Sequence, residues 1–231
     1  MKLFVSPLIL LLVVISCAGC QTTPQFTNWA GQQTLTNLKS PMRGKATATG
    51  YTSVHETFEI RFPLMPETIM VMDTAMKDYV KKYKVPVKDI AMICDLYYCC
   101  TVITAIPSDS APSLDAIDQK WIDQNLPADQ ADKFIKDESI VDQSHGPSRT
   151  FLFVPAKPDP NHTFCRLDGF LVTSEMLYHV RVNKVIPMQP SRSQHLASRQ
   201  INDMKYAINK VNKTFEVIRK HLILHGNPAK D

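Results

Sequence analysis

The 231-residue sequence has few glycines, little net charge and no apolar run long enough to cross a membrane. Only 7 residues are glycine while 44% are hydrophobic, which favours an ordinary folded globule over a low-complexity chain. A formal net charge of +4 is too small to predict a nucleic-acid partner. The longest aliphatic stretch, Leu8 to Ile15, is far below the roughly 20 residues of a transmembrane helix.

Motifs that mark common enzyme classes are also missing from the sequence. It contains no Gly-x-Ser-x-Gly, no His-Glu-x-x-His, no phosphate-binding glycine loop and no dinucleotide-binding fingerprint. His145 and Ser148 lie close together in "SHGPS", but such pairs are common in loops, and catalytic partners meet in space rather than in sequence. The sequence therefore predicts a protein that is not an enzyme and has no cofactor and no metal site.

The amino-terminal segment has the pattern of an export signal. Lys2 precedes a short apolar run, which ends in "VISCAGC" with small residues directly before Cys17 and Cys20. A basic start, an apolar centre and a small-residue exit are typical of a signal that is later removed. The stretch resembles the lipobox of bacterial lipoproteins, in which the cysteine is acylated and becomes the new amino terminus.

Two cysteines fit the lipobox pattern. Cys20 follows "AG", the smallest groups beside a cleavage site, whereas Cys17 follows the aliphatic-to-small series "VIS". We favour Cys20 as the lipidated residue, with Cys17 as the alternative. Several acyl chains anchor a protein durably, because each buried methylene contributes about 0.8 kcal/mol. In the resembled lipoproteins an Asp after the cysteine favours the inner membrane; Gln21 or Ala18 stands there, which implies the outer membrane of the cell envelope.

Composition divides the chain into four parts. Residues 1–19 are predicted to be the signal peptide, residues 20–50 a flexible stalk, residues 51–225 one globular α+β domain, and residues 226–231 a disordered tail. The stalk is predicted from a stretch rich in Thr, Gln and Asn that has no acidic residue and no lasting hydrophobic periodicity. As a flexible coil of about 30 residues it would average roughly 30 Å from end to end.

Hydrophobic periodicity predicts the elements of the globular domain. Predicted strands are Phe58 to Phe62, "DIAMIC", "YYCCTVITAIP", Thr150 to Val154, Phe164 to Thr173 and Met176 to Ile186. Predicted helices are Glu67 to Tyr83, a helix capped by Ser113 that runs through Trp121, and a helix from Pro127 through Phe134. The spacing of the strands indicates antiparallel pairing.

The carboxyl-terminal segment has the clearest pattern of all. Apolar residues from Ile201 to Leu222 step by three and four, which predicts a long amphipathic helix with one narrow stripe. We expect this helix to lie across the sheet, giving an α+β fold in which an antiparallel sheet packs against helices as a two-layer sandwich. The alternative is self-association as a homodimer through this helix.

Charge is unevenly spread along the chain. The segment Ser108 to Asp142 carries nine acidic residues against three lysines, and the segment His179 to His221 carries nine Lys or Arg against two acids. Such runs usually reflect solvated surfaces. The functional alternative is a basic surface for lipid head groups or for an acidic partner.

Four cysteines remain beyond the lipobox pair: Cys94, Cys99, Cys100 and Cys165. An even number in an exported protein indicates disulfides, with buried thiols as the alternative. Three pairings are open. Adjacent strand residues point to opposite faces, so Cys99 and Cys100 should not share one partner. If "DLYY" is a four-residue hairpin loop, Cys94 lies across from Cys99, which leaves Cys100 for Cys165.

The order of the elements resembles that of PsbP-like domains, small α+β modules that dock on membrane protein complexes. The likeness covers Tyr51 to about Arg219 and depends on "FEIRFP", a helix, "MLYHVRV" and the last helix. The acidic segment and the cysteines depart from it, so no functional residue is carried over. We expect a lipid-anchored envelope lipoprotein whose domain binds a protein partner as an accessory module of a membrane complex. A small periplasmic hydrolase and a carrier of apolar ligands are the alternatives.

Overall fold

The structure of the chain is a computed structural model that describes residues 25–28, 43–46, 50–61, 68–73, 76–94, 99–128, 133–142, 146–154, 162–187 and 196–225. Its strands are β1 (Gln25–Asn28), β2 (Lys45–Ala46), β3 (Gly50–Thr52), β4 (Phe58–Arg61), β5 (Thr68–Met72), β6 (Asp89–Cys94), β7 (Cys99–Pro107), β8 (Lys133–Asp142), β9 (Gly146–Val154), β10 (His162–Val172), β11 (Met176–Pro187) and β12 (Leu222–Leu224). Its helices are α1 (Lys77–Val80), α2 (Gln119–Asn125) and α3 (Leu196–His221), with 3₁₀ turns at Ser108–Ser110 and Leu114–Ala116. The predicted signal peptide, both lipobox cysteines and the predicted tail lie outside the described residues.

An antiparallel eight-stranded sheet forms the centre of the molecule. Its strand order is β1-β5-β6-β7-β11-β10-β9-β8, and every neighbouring pair is antiparallel. Two meanders, β5 to β7 and β8 to β11, join where β7 pairs with β11. This confirms the predicted α+β class, the predicted hairpin of β6 and β7, and the predicted antiparallel strands β9, β10 and β11.

Helix α3 covers one face of this sheet and confirms the predicted carboxyl-terminal helix. Its stripe residues Val211, Phe215 and Ile218 are buried in one core with Leu167 and Leu171 of β10. The chain then continues directly from α3 into β12, which belongs to a second, four-stranded sheet of order β12-β4-β3-β2. Because the sheet covers the stripe from its middle to its end, this part of α3 is used inside the fold rather than between two copies.

The opposite face of the large sheet is covered as well. A second core joins apolar residues of β7, β9, β10 and β11 to α2, to α1 and to the turn after α1. Met76 and Tyr83 from one segment and Ile117 and Ile122 from the other are all buried there. The predicted packing of α3 on the sheet is therefore present, and a further layer lies on the other side.

Three predicted helices differ from the structure. The described residues of the predicted helix over Glu67 to Tyr83 form strand β5 and the single turn α1. Of the predicted helix from Pro127 through Phe134, residues 129–132 lie outside the described residues, and Lys133 and Phe134 begin strand β8. Apolar spacing suggested the first of these helices and Pro127 the second, but Met70 to Met72 of β5 and Phe134 pair with neighbouring strands. The third helix begins later than expected, because Leu114–Ala116 form a 3₁₀ turn and its N-cap is not Ser113 but Asp118, whose carboxylate accepts the Trp121 N–H at 2.7 Å.

Part of the predicted stalk belongs to the folded structure. Strand β1 pairs with β5 at one edge of the large sheet, and β2 pairs with β3 in the small sheet. The backbone N–H groups of Arg43 and Gly44 donate to the Asp73 carboxylate at 2.6 to 3.1 Å. The predicted stalk range, residues 20–50, therefore includes residues of both sheets.

Gly169 allows α3 to approach β10 closely. A Cβ atom at this position would overlap the ring of Phe215, which is itself 2% exposed and enclosed by the core. Since a close-packed interior offers that ring little room to move, only glycine fits here. The helix lies directly on the sheet at this point, where a carrier of apolar ligands would instead need a hollow.

We expect Gly169→Ala to lower the free energy of unfolding by about 1 to 3 kcal/mol, because the added methyl overpacks the core against Phe215. Urea unfolding monitored by circular dichroism measures the loss. In a double-mutant cycle with Phe215→Leu, the double variant should lose less than the sum of the two single losses, since the shorter side chain makes room. Additive losses would contradict the proposed contact.

Candidate functional site

Four charged or ionisable side chains lie together inside the fold, on the face of the large sheet opposite α3. Arg166 and Asp168 come from β10, and His179 and Arg181 come from β11. Asp168 and Arg181 are directly opposite each other in the antiparallel register. All four are buried, with Arg166 3% exposed and the other three 0% exposed. We call these four residues the charge cluster.

The Asp168 carboxylate is the centre of the charge cluster. Its Oδ1 accepts from Arg181 Nε at 2.7 Å and from His179 Nε2 at 2.9 Å, and its Oδ2 lies 3.0 Å from Arg166 Nε. Burial raises the pKa of Asp168, but the two guanidinium charges and the histidine hydrogen bond outweigh burial and hold the pKa far below its ordinary value. The carboxylate is therefore ionised.

His179 is held as a neutral imidazole with one defined tautomer. Burial lowers its pKa, and the opposing effect of Asp168 does not restore the ordinary value. An ionised carboxylate only accepts, so Nε2 carries the proton and Nδ1 accepts from Tyr83 Oη, which lies 3.2 Å away. Thr104 Oγ1, 2.9 Å from the same phenol oxygen, then donates to it.

Arg181 connects the sheet to the layer above it. Its Nη1 donates to the Pro127 carbonyl at 2.7 Å and to Tyr79 Oη at 3.2 Å, while its other nitrogens bind Asp168. Burial lowers the pKa of Arg181, but the Asp168 charge raises it more, so the guanidinium stays charged. A single side chain thus ties β11 to α1 and to the residues that follow α2.

Aromatic rings enclose the charge cluster. Phe170 stacks on His179 with ring centres 5.1 Å apart, and Trp121 and Phe151 meet Phe170 edge to face at 6.2 and 5.8 Å. Arg166 lies over Phe153, with 4.0 Å from its guanidinium carbon to the ring centre. The rings keep water from these charges, which strengthens each ion pair and makes each unpaired charge costly.

The order Asp168, His179, Tyr83 is that of a proton relay, in which a carboxylate orients an imidazole that acts on a hydroxyl group. Here both ring nitrogens of His179 are occupied by protein groups, and the ring is 0% exposed. No substrate atom can reach either nitrogen unless Asp168 or Tyr83 moves away. In this conformation the arrangement joins the layers of the fold.

A second buried carboxylate, Asp73, positions the small sheet. Besides the N–H groups of Arg43 and Gly44, it accepts from Tyr51 Oη at 3.0 Å. Burial raises the pKa of Tyr51 well above its ordinary value, and the Asp73 charge raises it further, so the phenol stays protonated and donates. Asp73 therefore fixes the chain on both sides of β2.

Asp89 and Tyr178 make further hydrogen bonds between the small sheet and the large sheet. Oδ2 of Asp89 accepts from the His55 N–H and from Thr57 Oγ1, both at 2.9 Å. Tyr178 Oη lies 2.8 Å from the Thr57 carbonyl and 3.0 Å from the His225 carbonyl. Burial raises the pKa of Tyr178 to about 12. These bonds attach the small sheet to β6 and β11 of the large one.

The residues that the sequence suggested for catalysis do not form a described site. Ser148 is 1% exposed and lies within β9, opposite Leu171 of β10 and Ile140 of β8. His145 lies outside the described residues. A hydrolase built on these two residues stays a prediction.

The strand register changes the expected cysteine pairing. Cys94 lies opposite Cys100, and not opposite Cys99 as expected. Cys99 and Cys165 both lie opposite Lys184, which places β11 between β7 and β10. Residues two strands apart are separated by about 10 Å, beyond the roughly 7 Å between Cα atoms that a disulfide spans. The expected bond between Cys100 and Cys165 would therefore need the backbone to move.

Sequence reasoning missed the charge cluster. The available signal was the spacing of two charged pairs, "RLD" in β10 and "HVR" in β11, each at alternate positions of an otherwise apolar strand. Alternate polar residues normally indicate a solvent-facing side. Here the side is covered by segments about 50 to 100 residues earlier in the chain, as the contacts of Tyr83 with His179 show.

Among the residues that the structure describes, no group of three or more His, Cys, Asp or Glu could hold a metal ion. No helix in the described ranges is long and apolar enough to span a membrane. No protein-family model, curated protein or solved structure matches the chain.

We expect Asp168→Asn to lower the free energy of unfolding by about 3 to 5 kcal/mol, because two guanidinium groups would then be buried without a counter-charge. Asp123→Asn, at an exposed position on α2, is the matched control and should change the free energy by less than about 0.5 kcal/mol. Urea unfolding at neutral pH measures both. If Asp168→Asn and Asp123→Asn changed the free energy of unfolding by the same small amount, burial of Arg166 and Arg181 would not require the Asp168 carboxylate.

Proposed function

We propose that the chain is a lipid-anchored lipoprotein of a bacterial cell envelope whose α+β domain is a non-enzymatic binding module for an envelope protein. The observation that carries the proposal is the lipobox "VISCAGC" after a short apolar run, with Cys20 as the acylated residue and Cys17 as the alternative. Gln21, or Ala18 in the other register, favours the outer membrane. The domain would act as an accessory subunit of a membrane complex.

The interior of the domain supports a binding role. Asp168 and His179 satisfy each other and the layer above them, so these reactive groups are used to hold the fold together. Carboxylates at Asp73 and Asp89 attach the small sheet to the large one in the same way. A domain with this many internal ties presents a rigid surface, which lowers the entropic cost of binding a partner.

Strand β8 supports a protein as the partner. It is ten residues long and ends the large sheet, with β9 as its only strand neighbour among the described residues. The edge strands at the other ends of the two sheets have two to four residues. A long edge can pair with an extended segment of another protein through backbone hydrogen bonds.

The anchor is tested by replacing both candidate cysteines, Cys17→Ser and Cys20→Ser, in the full chain. The native protein should fractionate with envelope membranes and yield a mature mass that includes acyl chains, whereas the double variant should keep its signal segment and carry no acyl group. Each single variant shows which cysteine is modified. A double variant with unchanged processing and the same membrane fractionation would refute the lipoprotein assignment.

The partner is tested by placing a photo-crosslinking residue at Ser139 or Ile140, in the middle of β8, in cells that express the full chain. If β8 receives a protein segment, illumination should give a covalent adduct of one defined mass. Exposed positions Lys77 and Lys84, outside β8, are the matched controls and should give none. The same adducts at β8 and at the control positions, or none at β8, would rule out docking at this edge.

A further inference from the structure

The outer side of α3 is basic. Lys205, Lys213 and Lys220 are exposed and follow one another at intervals of eight and seven residues, close to two helical turns each. At about 1.5 Å per residue the row extends over roughly 22 Å. It faces away from the buried stripe residues Val211 and Phe215, and therefore away from the large sheet.

Few acidic groups oppose this row. Glu216 lies on the same exposed side, but Arg219 Nη2 binds its carboxylate at 2.8 Å within the helix. Asp203, the other acid of α3, is half-buried. The positive charge of Lys205, Lys213 and Lys220 is thus not cancelled by the acids of α3.

An apolar end accompanies the basic row. Ile201 and Tyr206 are 56% and 53% exposed, and they are the large exposed hydrophobic residues among those the structure describes. Both lie in the amino-terminal half of α3. Ile201 is the first residue of the stripe, whereas Tyr206 lies on the other side of the helix, with Lys184 Nζ of β11 at 6.0 Å from its ring centre. Aromatic and aliphatic side chains beside lysines are typical of helices that lie in a membrane interface.

We propose that the outer face of α3 is a membrane-contact surface that binds anionic lipid head groups. The lysine row supplies the complementary charge, and Tyr206, which lies on the same side of the helix as Lys213, enters the boundary between head groups and acyl chains. The large sheet lies above the helix in this orientation, and the edge at β8 stays accessible at the side. The proposal extends the proposed function, because the contact orients a domain that the lipid anchor only tethers.

The proposal is tested with the predicted mature chain from Gln21 onward, which has neither the signal segment nor Cys17 and Cys20, so that neither the apolar run nor acyl chains can contribute. Vesicles of phosphatidylcholine alone are compared with vesicles containing phosphatidylglycerol in a co-sedimentation assay. The protein should bind the anionic vesicles more tightly, and raising the salt from about 0.1 to 0.5 M should weaken that binding because it screens the charges. Equal binding to both kinds of vesicle would overturn the proposal.

A triple variant separates the α3 surface from general charge. Replacing Lys205, Lys213 and Lys220 with Gln should weaken binding to anionic vesicles by about 100-fold, since each lysine contributes about 1 kcal/mol, or about fivefold in affinity. The control replaces three exposed lysines on the opposite side of the large sheet, Lys77, Lys84 and Lys88, with the same residue. The control should change the affinity less than threefold, as expected of residues outside the contact.

Both triple variants change exposed side chains only, and thermal unfolding verifies that they fold. Equal weakening by the two triple variants, or no weakening by the α3 variant, would overturn the proposal. Because the acylated cysteines are absent from every protein in this assay, failure here leaves the lipoprotein assignment standing. Failure of the cysteine experiment, in turn, leaves the vesicle result standing.

Discussion

Asp168 places one carboxylate between two guanidinium groups on a covered face of the large sheet, where water cannot hydrate them. Arg166 and Arg181 are both buried, and the neutral imidazole of His179 donates its proton to the same carboxylate. Desolvated charges are tolerated only when they are paired and hydrogen-bonded, so the fold can cover this face only with the carboxylate in place. Arg181 also donates to the Pro127 carbonyl, so the overlying layer must supply an acceptor for the same buried guanidinium group.

The charge cluster also limits where function can lie. Its groups are enclosed, and the opposite face of the sheet is occupied by α3, whose Phe215 packs on Gly169. Two surfaces outside this interior, the β8 edge of the large sheet and the outer face of α3, are the ones that we propose for contacts. Because an edge and a face point in different directions, one protein segment at β8 and one membrane at α3 could be bound at the same time.

Sequence predicted the elements whose signals are local. Alternation marked β11, and steps of three and four from Ile201 to Leu222 marked α3, because each pattern is complete within one element. It failed at β5, where pairing with β1 and β6 overrides apolar spacing, and at the start of β8, which pairs with β9. It also missed the charge cluster, because nothing within β10 reveals that Tyr79, Tyr83 and Pro127 will cover Asp168. The lipobox directs a covalent modification, and its cysteines lie outside the described residues, so it stays a prediction.

Titration of the His179 imidazole tests the buried charge cluster most directly. Nuclear magnetic resonance of the chain labelled with ¹⁵N in histidine reports protonation and tautomer, and His179→Gln assigns the signal. Our account predicts a pKa below the ordinary value near 6.5 and a proton on Nε2, because burial disfavours the charged ring and Asp168 accepts from that nitrogen. Protonation near pH 6.5, or a proton on Nδ1 of the neutral ring, would contradict it.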